Sequence, residues 1–377
     1  GASILRAVED LPKCLLFWRS FTHWLGGMGV LVFMLAIVPL SGESIYLLRA
    51  ESPGPSVSKM VPKMRTSAAI LYAIYCAMTL LQILFYRLGV LFGWGEMTWF
   101  DSLCLAFGTA GTGGFSVRNS GLADYSAYLQ AVTTVFMILF GVNFSVYFFL
   151  LRRRFRLAWH NSEVRWYFII IFGAIVLISA NLLLTGGFFS TVFQTIHHVA
   201  FSVGSVITTT GFGTADFAKW PEFSKTVLLI LMAIGACAGS TGGGIKVSRV
   251  LILSKTARAE TRHLLHPHSV EVMTMDGKRV SSEVIRGTMA FFICYAAIAV
   301  VSILLVSLDN FGAETSVTSV FATLNNIGPG LELVGPMGNY SAFSGFSKLV
   351  LSLCMLIGRL EVLPVLVLFS RNAWKRS

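Results

Sequence analysis

The polar residues that interrupt the apolar runs of this chain are mostly threonine and glycine, so its chemistry has to come from hydroxyl and backbone oxygens. The run Thr208-Thr209-Thr210-Gly211-Phe212-Gly213 lies between two long apolar segments. It is echoed by Gly111-Thr112-Gly113-Gly114-Phe115-Ser116 and by Asn326-Ile327-Gly328-Pro329-Gly330, and Gly1-Ala2-Ser3 stands where a further echo would fall. Glycine allows positive φ, which lets successive carbonyls face one way. Threonine hydroxyls add oxygen ligands without charge. Together such groups can replace the hydration shell of a monovalent cation. No nucleophile–base set and no carboxylate pair accompanies them, so the expected chemistry is coordination and transport, not catalysis.

The spacing turns the echoes into a repeat. Gly114, Gly211 and Gly328 are 97 and 117 residues apart, and a recurring period of this kind is the first thing to seek in a sequence. Each turn follows a short apolar segment, at 99–110, 191–207 and 313–325. These are too short to cross a bilayer core of roughly 30 Å and fit re-entrant helices. Irregular backbone at membrane depth is tolerated only where it is buried in protein or lines a water-filled cavity. Three such turns therefore predict one shared cavity on a pseudo-fourfold axis. The C-terminal ends of the short helices would direct partial negative charge at a cation held there.

The elements that must hold these turns are long apolar spans, expected at 15–39, 67–92, 126–151, 166–186, 224–254, 284–308 and 346–370. Composition agrees: the 377 residues are 55% hydrophobic and only 12% charged, with a mean hydropathy of +0.73, against about 25% charged in a soluble domain. The predicted fold class is an all-α polytopic membrane protein built of membrane–pore–membrane units. Residues 1–66 are the remainder of unit 1 and 67–164 are unit 2. Unit 3, residues 165–283, includes an interrupted helix and a basic linker, and 284–377 are unit 4. Four full units would give eight spans where seven are found, and the first residue is Gly. The expectation is an internal or processed piece, N-terminally truncated, whose first unit is incomplete.

Charge placement supports the layout. The linkers 40–66, 152–165, 246–286 and 371–377 hold 20 of the 29 lysines and arginines. The opposite side, with the turns, carries Asp101, Asp124, Asp216, Glu222, Asp309 and Glu332. Basic loops stay cytoplasmic, so the turns dip in from outside and the C-terminus is cytoplasmic. The net charge of +11 then reflects orientation and attraction to anionic lipid, and nucleic acid is not an expected partner.

Two features lie off the turns. Gly239-Ser240-Thr241-Gly242-Gly243-Gly244-Ile245-Lys246 interrupts the fifth span. It superficially resembles a phosphate-binding loop, but Ile245 intervenes before the lysine and no strand precedes it, so nucleotide binding is not expected. So many Gly, Ser and Thr cannot hold a regular helix cheaply. A broken helix under the turns is a natural gate; a passive packing kink is the plain alternative. Arg359 sits inside the last span with Glu361 two residues on. Intramembrane charge faces a cavity or a partner, so Arg359 pairs with Glu361 or a carbonyl, snorkels, or projects into a pore. Lys246 acts alike or is ordinary positive-inside charge.

Other residues carry blander readings. His197 and His198 are adjacent and cannot share one helix face, so packing or hydrogen bonding is expected of them. The stretch 255–283, with Arg258, Arg262, His263, His266 and His268, reads as a solvated basic loop that could dock a cytosolic partner. Cys14, Cys76, Cys104, Cys237, Cys294 and Cys354 are scattered singly and read as small apolar residues, with no disulfide framework and no zinc.

Phe17-Trp18-Arg19-Ser20 with Trp24-Leu25-Gly26-Gly27-Met28-Gly29, Glu51-Ser52-Pro53-Gly54-Pro55, the stretches 112–116 and 238–246, Thr209-Thr210-Gly211-Phe212, and Gly358-Arg359-Leu360-Glu361 together resemble the Trk/Ktr potassium-uptake superfamily, closer to its TrkH branch. The resemblance covers essentially the whole chain. It implies a homodimer in a bacterial inner membrane, each protomer with its own pore, controlled by a cytosolic nucleotide-binding ring of the TrkA/KtrA type. It implies one glycine per pore loop at the potassium site: Gly1, Gly114, Gly211 and Gly328. The carbonyls of the two residues before each would contribute, namely Thr112 and Gly113, Thr209 and Thr210, Asn326 and Ile327. Ile327 and Pro329 replace a Thr-rich run in the last loop, which puts strict fourfold symmetry of the ligands in doubt. The resemblance also implies gating by Gly239, Ser240, Thr241, Gly242, Gly243, Gly244 and Lys246, and an obstructing Arg359. K⁺ is then the transported ion, with no cofactor and no transition metal. The alternative is a K⁺/H⁺ or K⁺/Na⁺ symporter with an alternating-access site. A non-transporting scaffold leaves the repeated turns unexplained.

Overall fold

The computed structural model of the protein describes residues 2–29, 64–266, 273–360 and 362. Gly1, Lys59, Lys63, His268, Glu361, Arg371, Lys375 and Arg376 lie outside the described residues, as do the latter parts of the first and last expected spans. The helices are α1 (Lys13–Gly27), α2 (Met64–Leu91), α3 (Trp99–Ala110), α4 (Ala127–Phe140), α5 (Phe144–Leu151), α6 (Phe155–Trp159), α7 (Ser162–Thr185), α8 (Val192–Ile207), α9 (Glu222–Ile234), α10 (Val247–Leu265), α11 (Ser282–Val306), α12 (Ala313–Leu324) and α13 (Gly345–Leu360). Several starts are set by local chemistry. Thr98, Ser126, Asn161, Thr191 and Ser281 each accept a hydrogen bond from a backbone N–H inside the first turn of the helix they precede, which satisfies donors that have no partner within the helix.

Among the described residues three helices are long and apolar enough to cross a membrane, at Ala68–Leu91, Ser162–Thr185 and Ser282–Asp309, and α4 with α5 makes a fourth if the pair is one span. Their outward faces carry exposed Leu80, Leu184 and Leu304, a surface suited to lipid. The short helices α3, α8 and α12 are arranged alike. Each packs between the two long helices that flank it in sequence: α3 between α2 and α4, α8 between α7 and α9, α12 between α11 and α13. Each also leans on a helix of the preceding unit, which is α1 for α3, α4 for α8 and α9 for α12. The order helix, short helix, turn, helix thus occurs in three stretches of the described residues.

Three expectations are corrected. The span expected at 126–151 is not continuous: α4 and α5 meet at 91° across Gly141-Val142-Asn143, where the Asn143 side chain accepts from Ser145 N–H and starts a new helix. The stretch 255–283 is not one solvated loop. The helix α10 runs through Leu265 because 247–265 contains neither Gly nor Pro and is rich in residues that favour helix. The chain is also not wholly helical: β1 (Thr274–Met275) and β2 (Lys278–Arg279) pair antiparallel around Asp276 and Gly277, both at positive φ, as a two-residue hairpin turn requires.

Candidate ion-coordination site

The three turns share one backbone design. Helix α3 ends in bonds from Thr112 N–H to Thr109 O (3.1 Å) and Gly113 N–H to Gly108 O (2.8 Å). The equivalents after α8 are Thr209 to Val206 (3.1 Å) and Thr210 to Ser205 (2.9 Å); after α12 they are Asn326 to Thr323 (3.0 Å) and Ile327 to Ala322 (2.8 Å). This paired pattern is a Schellman motif, whose pivot residue is left-handed and usually glycine. Here the pivots are Thr112, Thr209 and Asn326, at φ 47°, 59° and 56°. A β-branched residue in that region is a genuine outlier, and strain of this kind collects at functional sites.

Two residues beyond each pivot, Gly114, Gly211 and Gly328 stand at φ 74°, 84° and 105°. A Cβ on Gly114 would lie 2.0 Å from Thr210 O, and one on Gly211 would lie 2.0 Å from Ile327 O. The first two turns thus approach the carbonyl that precedes the equivalent glycine of the next turn, closely enough that only glycine fits. The three turns open on one cavity of about 190 Å³ whose lining includes Gly114, Gly211 and Gly328 together with Arg6, Arg19, Arg118 and Tyr340. The Tyr340 hydroxyl donates to Gly328 O at 2.6 Å. Phe212 anchors its turn by packing among Leu105, Met137 and Phe140 of the preceding segment and Phe201 of α8.

Residues 235–246, none of which lines that cavity, also press on the turns. Thr112 Oγ1 donates to Thr241 O at 2.8 Å, and Gly243 N–H donates to Thr209 Oγ1 at 2.6 Å. A Cβ on Gly243 would lie 2.4 Å from Asn325 O, so the same loop reaches the third turn. The loop also fits the break between α4 and α5. Cys237 N–H donates to Gly141 O (3.1 Å), Phe144 N–H to Gly239 O (3.0 Å) and Thr241 Oγ1 to Phe140 O (3.2 Å). Two interrupted spans thus satisfy each other's free backbone groups, which are costly to leave unpaired away from water.

The cationic residues singled out from the sequence are both at this loop. Lys246 is buried and its ammonium donates to Gly242 O. Arg359 donates through Nη1 to Thr241 O at 3.2 Å, and through Nη2 to Gly26 O and, at 3.4 Å, to Gly27 O. Of the expected alternatives for Arg359, carbonyl partners are found; Glu361 lies outside the described residues. His197 Nε2 is 2.8 Å from Gln130 Oε1, and His198 Nδ1 is 3.1 Å from Thr214 Oγ1, so both histidines are held by single polar neighbours. All six cysteines are free thiols. Among the described residues no group of three or more His, Cys, Asp or Glu could hold a metal ion.

Sequence reasoning missed three residues here. Asn143 marks the break in the third span, and its signal was an N-capping residue two positions after a glycine. Tyr340 reaches a turn carbonyl from a loop that had no motif. Glu163 is buried at the start of α7 and accepts from Ala238 N–H at 2.6 Å; its partner is 75 residues away, so no local pattern reports it.

Comparison with known proteins gives one answer. A family model described as "TrkH: Cation transport protein" matches residues 1–376. The Trk system potassium uptake protein TrkH of Escherichia coli (strain K12) is 34% identical over 379 residues, covering all of this chain and 77% of that protein. The Trk system potassium uptake protein TrkG of the same organism is 30% identical over 379 residues, covering all of this chain and 76% of that protein. The crystal structure of the potassium transporter TrkH from Vibrio parahaemolyticus superposes with a TM-score of 0.86 at 31% identity, covering all of this chain and 76% of that one.

Proposed function

The chain belongs to the TrkH family of cation transport proteins, and on that footing we propose that it carries potassium into the cell through a pore lined by the three turns and a fourth turn from the first unit. The ligands in this reading are backbone carbonyls of Thr112 and Gly113, Thr209 and Thr210, and Asn326 and Ile327, up to Gly114, Gly211 and Gly328. Gly1 would belong to the fourth set and lies outside the described residues. Three turns with one hydrogen-bond pattern, with Gly114 and Gly211 each set against the next turn's carbonyl, are the observation that carries the reading. An array of carbonyls about an axis replaces water around an ion without adding charge. The four units would surround that axis with pseudo-fourfold symmetry.

The loop 235–246 is the gate in this reading, with Gly239, Ser240, Thr241, Gly242, Gly243 and Gly244 under the turns and Lys246 and Arg359 beside them. An inside-negative potential supplies roughly 2.3 kcal/mol per charge per 100 mV, enough to drive inward flux once the loop yields. The basic linkers face the cytoplasm, where a nucleotide-binding ring of the TrkA type would act on a homodimer. Uptake of radiolabelled rubidium into vesicles holding the full-length protein tests the reading. Uptake driven by voltage alone is the expected result. Uptake that needs an imposed proton or sodium gradient would replace the pore with a symporter.

A further inference from the structure

Glu163 stands in the first turn of α7 and is 5% exposed. A carboxylate so far from water has to be met by donors or by positive charge. Its Oε1 accepts two backbone bonds, from Ala238 N–H at 2.6 Å and from Ser248 N–H at 3.2 Å. These donors flank the interrupted loop: Ala238 lies just after its start, and Ser248 is the second residue of α10. The residue before α10 is Lys246, which provides no side-chain cap. Val247 N–H is met by Ala236 O, and those of Arg249 and Val250 by Lys246 O; the α7 carboxylate takes the remaining one, Ser248 N–H, where the positive end of a helix favours an anion.

We propose that Glu163 is the positioning residue of the loop: one carboxylate fastens both of its ends to α7 and so sets how the loop sits against the turns. This rests on the reading of residues 235–246 as the gate. Arg359 makes the other charged contact, at Thr241 O; the remaining bonds that seat the loop, to Phe140 O, Gly141 O, Phe144 N–H, Thr112 and Thr209, are between neutral groups. Bonds to an ionised acceptor are about twice as strong as neutral ones. Glu163 thus holds the loop more firmly than any of these neutral contacts, and its loss frees the two ends together while the turns keep their own hydrogen bonds.

Cys237, fully buried beside Ala238, reports the loop's position without any residue being introduced. In the full-length protein with Cys237 as its single cysteine, the rate at which a maleimide modifies it is compared between wild type, Glu163→Gln and Glu163→Ala, alongside rubidium uptake and the rubidium-to-sodium ratio. Loss of the charged acceptor should speed modification on the order of tenfold in Glu163→Ala, with Glu163→Gln in between because its amide oxygen still accepts. Uptake should rise in the same order with the ion ratio unchanged. A Cys237 rate equal to wild type in Glu163→Ala overturns the proposal. Faster modification with unaltered uptake sustains the positioning role and refutes the loop as gate. If Glu163→Ala does not reach the membrane, Glu163→Gln decides: a wild-type rate there overturns the proposal.

Discussion

Arg359 and Thr112 meet on a single atom, the carbonyl oxygen of Thr241, which accepts from Arg359 Nη1 at 3.2 Å and from Thr112 Oγ1 at 2.8 Å. The last described helix, the first of the three turns and the interrupted loop are joined there. Arg359 also reaches the carbonyls of Gly26 and Gly27 at the end of α1. Its guanidinium thus fixes the loop from below by a fork of donors that lysine cannot reproduce.

Arg359→Ala should release one side of the loop and remove a positive charge from the route. Rubidium uptake should rise on the order of tenfold, the shift that goes with losing a hydrogen bond to a charged group. Arg359→Lys should fall between the two, since it keeps the charge and loses the fork. Reduced uptake at normal membrane expression would make the arginine a structural brace instead of an obstruction.

Gly211→Ala places a Cβ 2.0 Å from Ile327 O at a φ of 84°. Both the strain and the collision act on the carbonyls proposed to select the ion. Discrimination of rubidium over sodium should drop by about tenfold or more, one order for each 1.4 kcal/mol of lost differential binding. Gly114→Ala, which meets Thr210 O at the same distance, should do likewise. An unaltered ratio in both variants would remove these turns from selectivity.

Why some of this was readable in the sequence and some was not follows from the range of the interactions. The helix bounds at 99–110 and 192–207 follow from caps and turn residues within a few positions, such as Thr98 and Thr191, and the repeat carries the register from one turn to the next. The contact of loop and turns could not be read. Thr112 and Thr241 are 129 residues apart, and Arg359 is 118 from Thr241; the acceptor they share is a backbone carbonyl, which every residue has. The 91° break at 141–143 escaped because one asparagine in an apolar run barely changes its average hydropathy. Glu163 is one acid near a helix start with no local motif around it, and only the fold brings it Ala238 and Ser248.

Thr209→Val keeps the shape of the left-handed pivot and deletes the acceptor that Gly243 N–H uses at 2.6 Å. A part-buried donor left without a partner costs about 1–3 kcal/mol, and the cost falls on the contact between loop and turn. Thermal stability should drop and uptake should rise, with the rubidium-to-sodium ratio kept. A change in the ratio instead would assign the Thr209 hydroxyl to ion coordination.

Tyr340 presents the last test, because its hydroxyl donates to Gly328 O at 2.6 Å in the turn that lacks a Thr-rich run. A carbonyl that accepts from a buried hydroxyl has less electron density to offer a cation and is held in one orientation. Its Thr-bearing counterparts lie at Gly114 and Gly211, beside the same cavity. Tyr340→Phe removes the hydroxyl and leaves the ring packed against Phe343. The carbonyl then loses its tether, at a cost of about 1–3 kcal/mol for an unpaired buried acceptor. If the tether holds this third turn in register with the others, the melting temperature and the rubidium-to-sodium ratio should fall together. A lower melting temperature with an intact ratio would mean that Gly328 O takes no part in coordination, and that selectivity rests on the Thr112 and Thr209 turns.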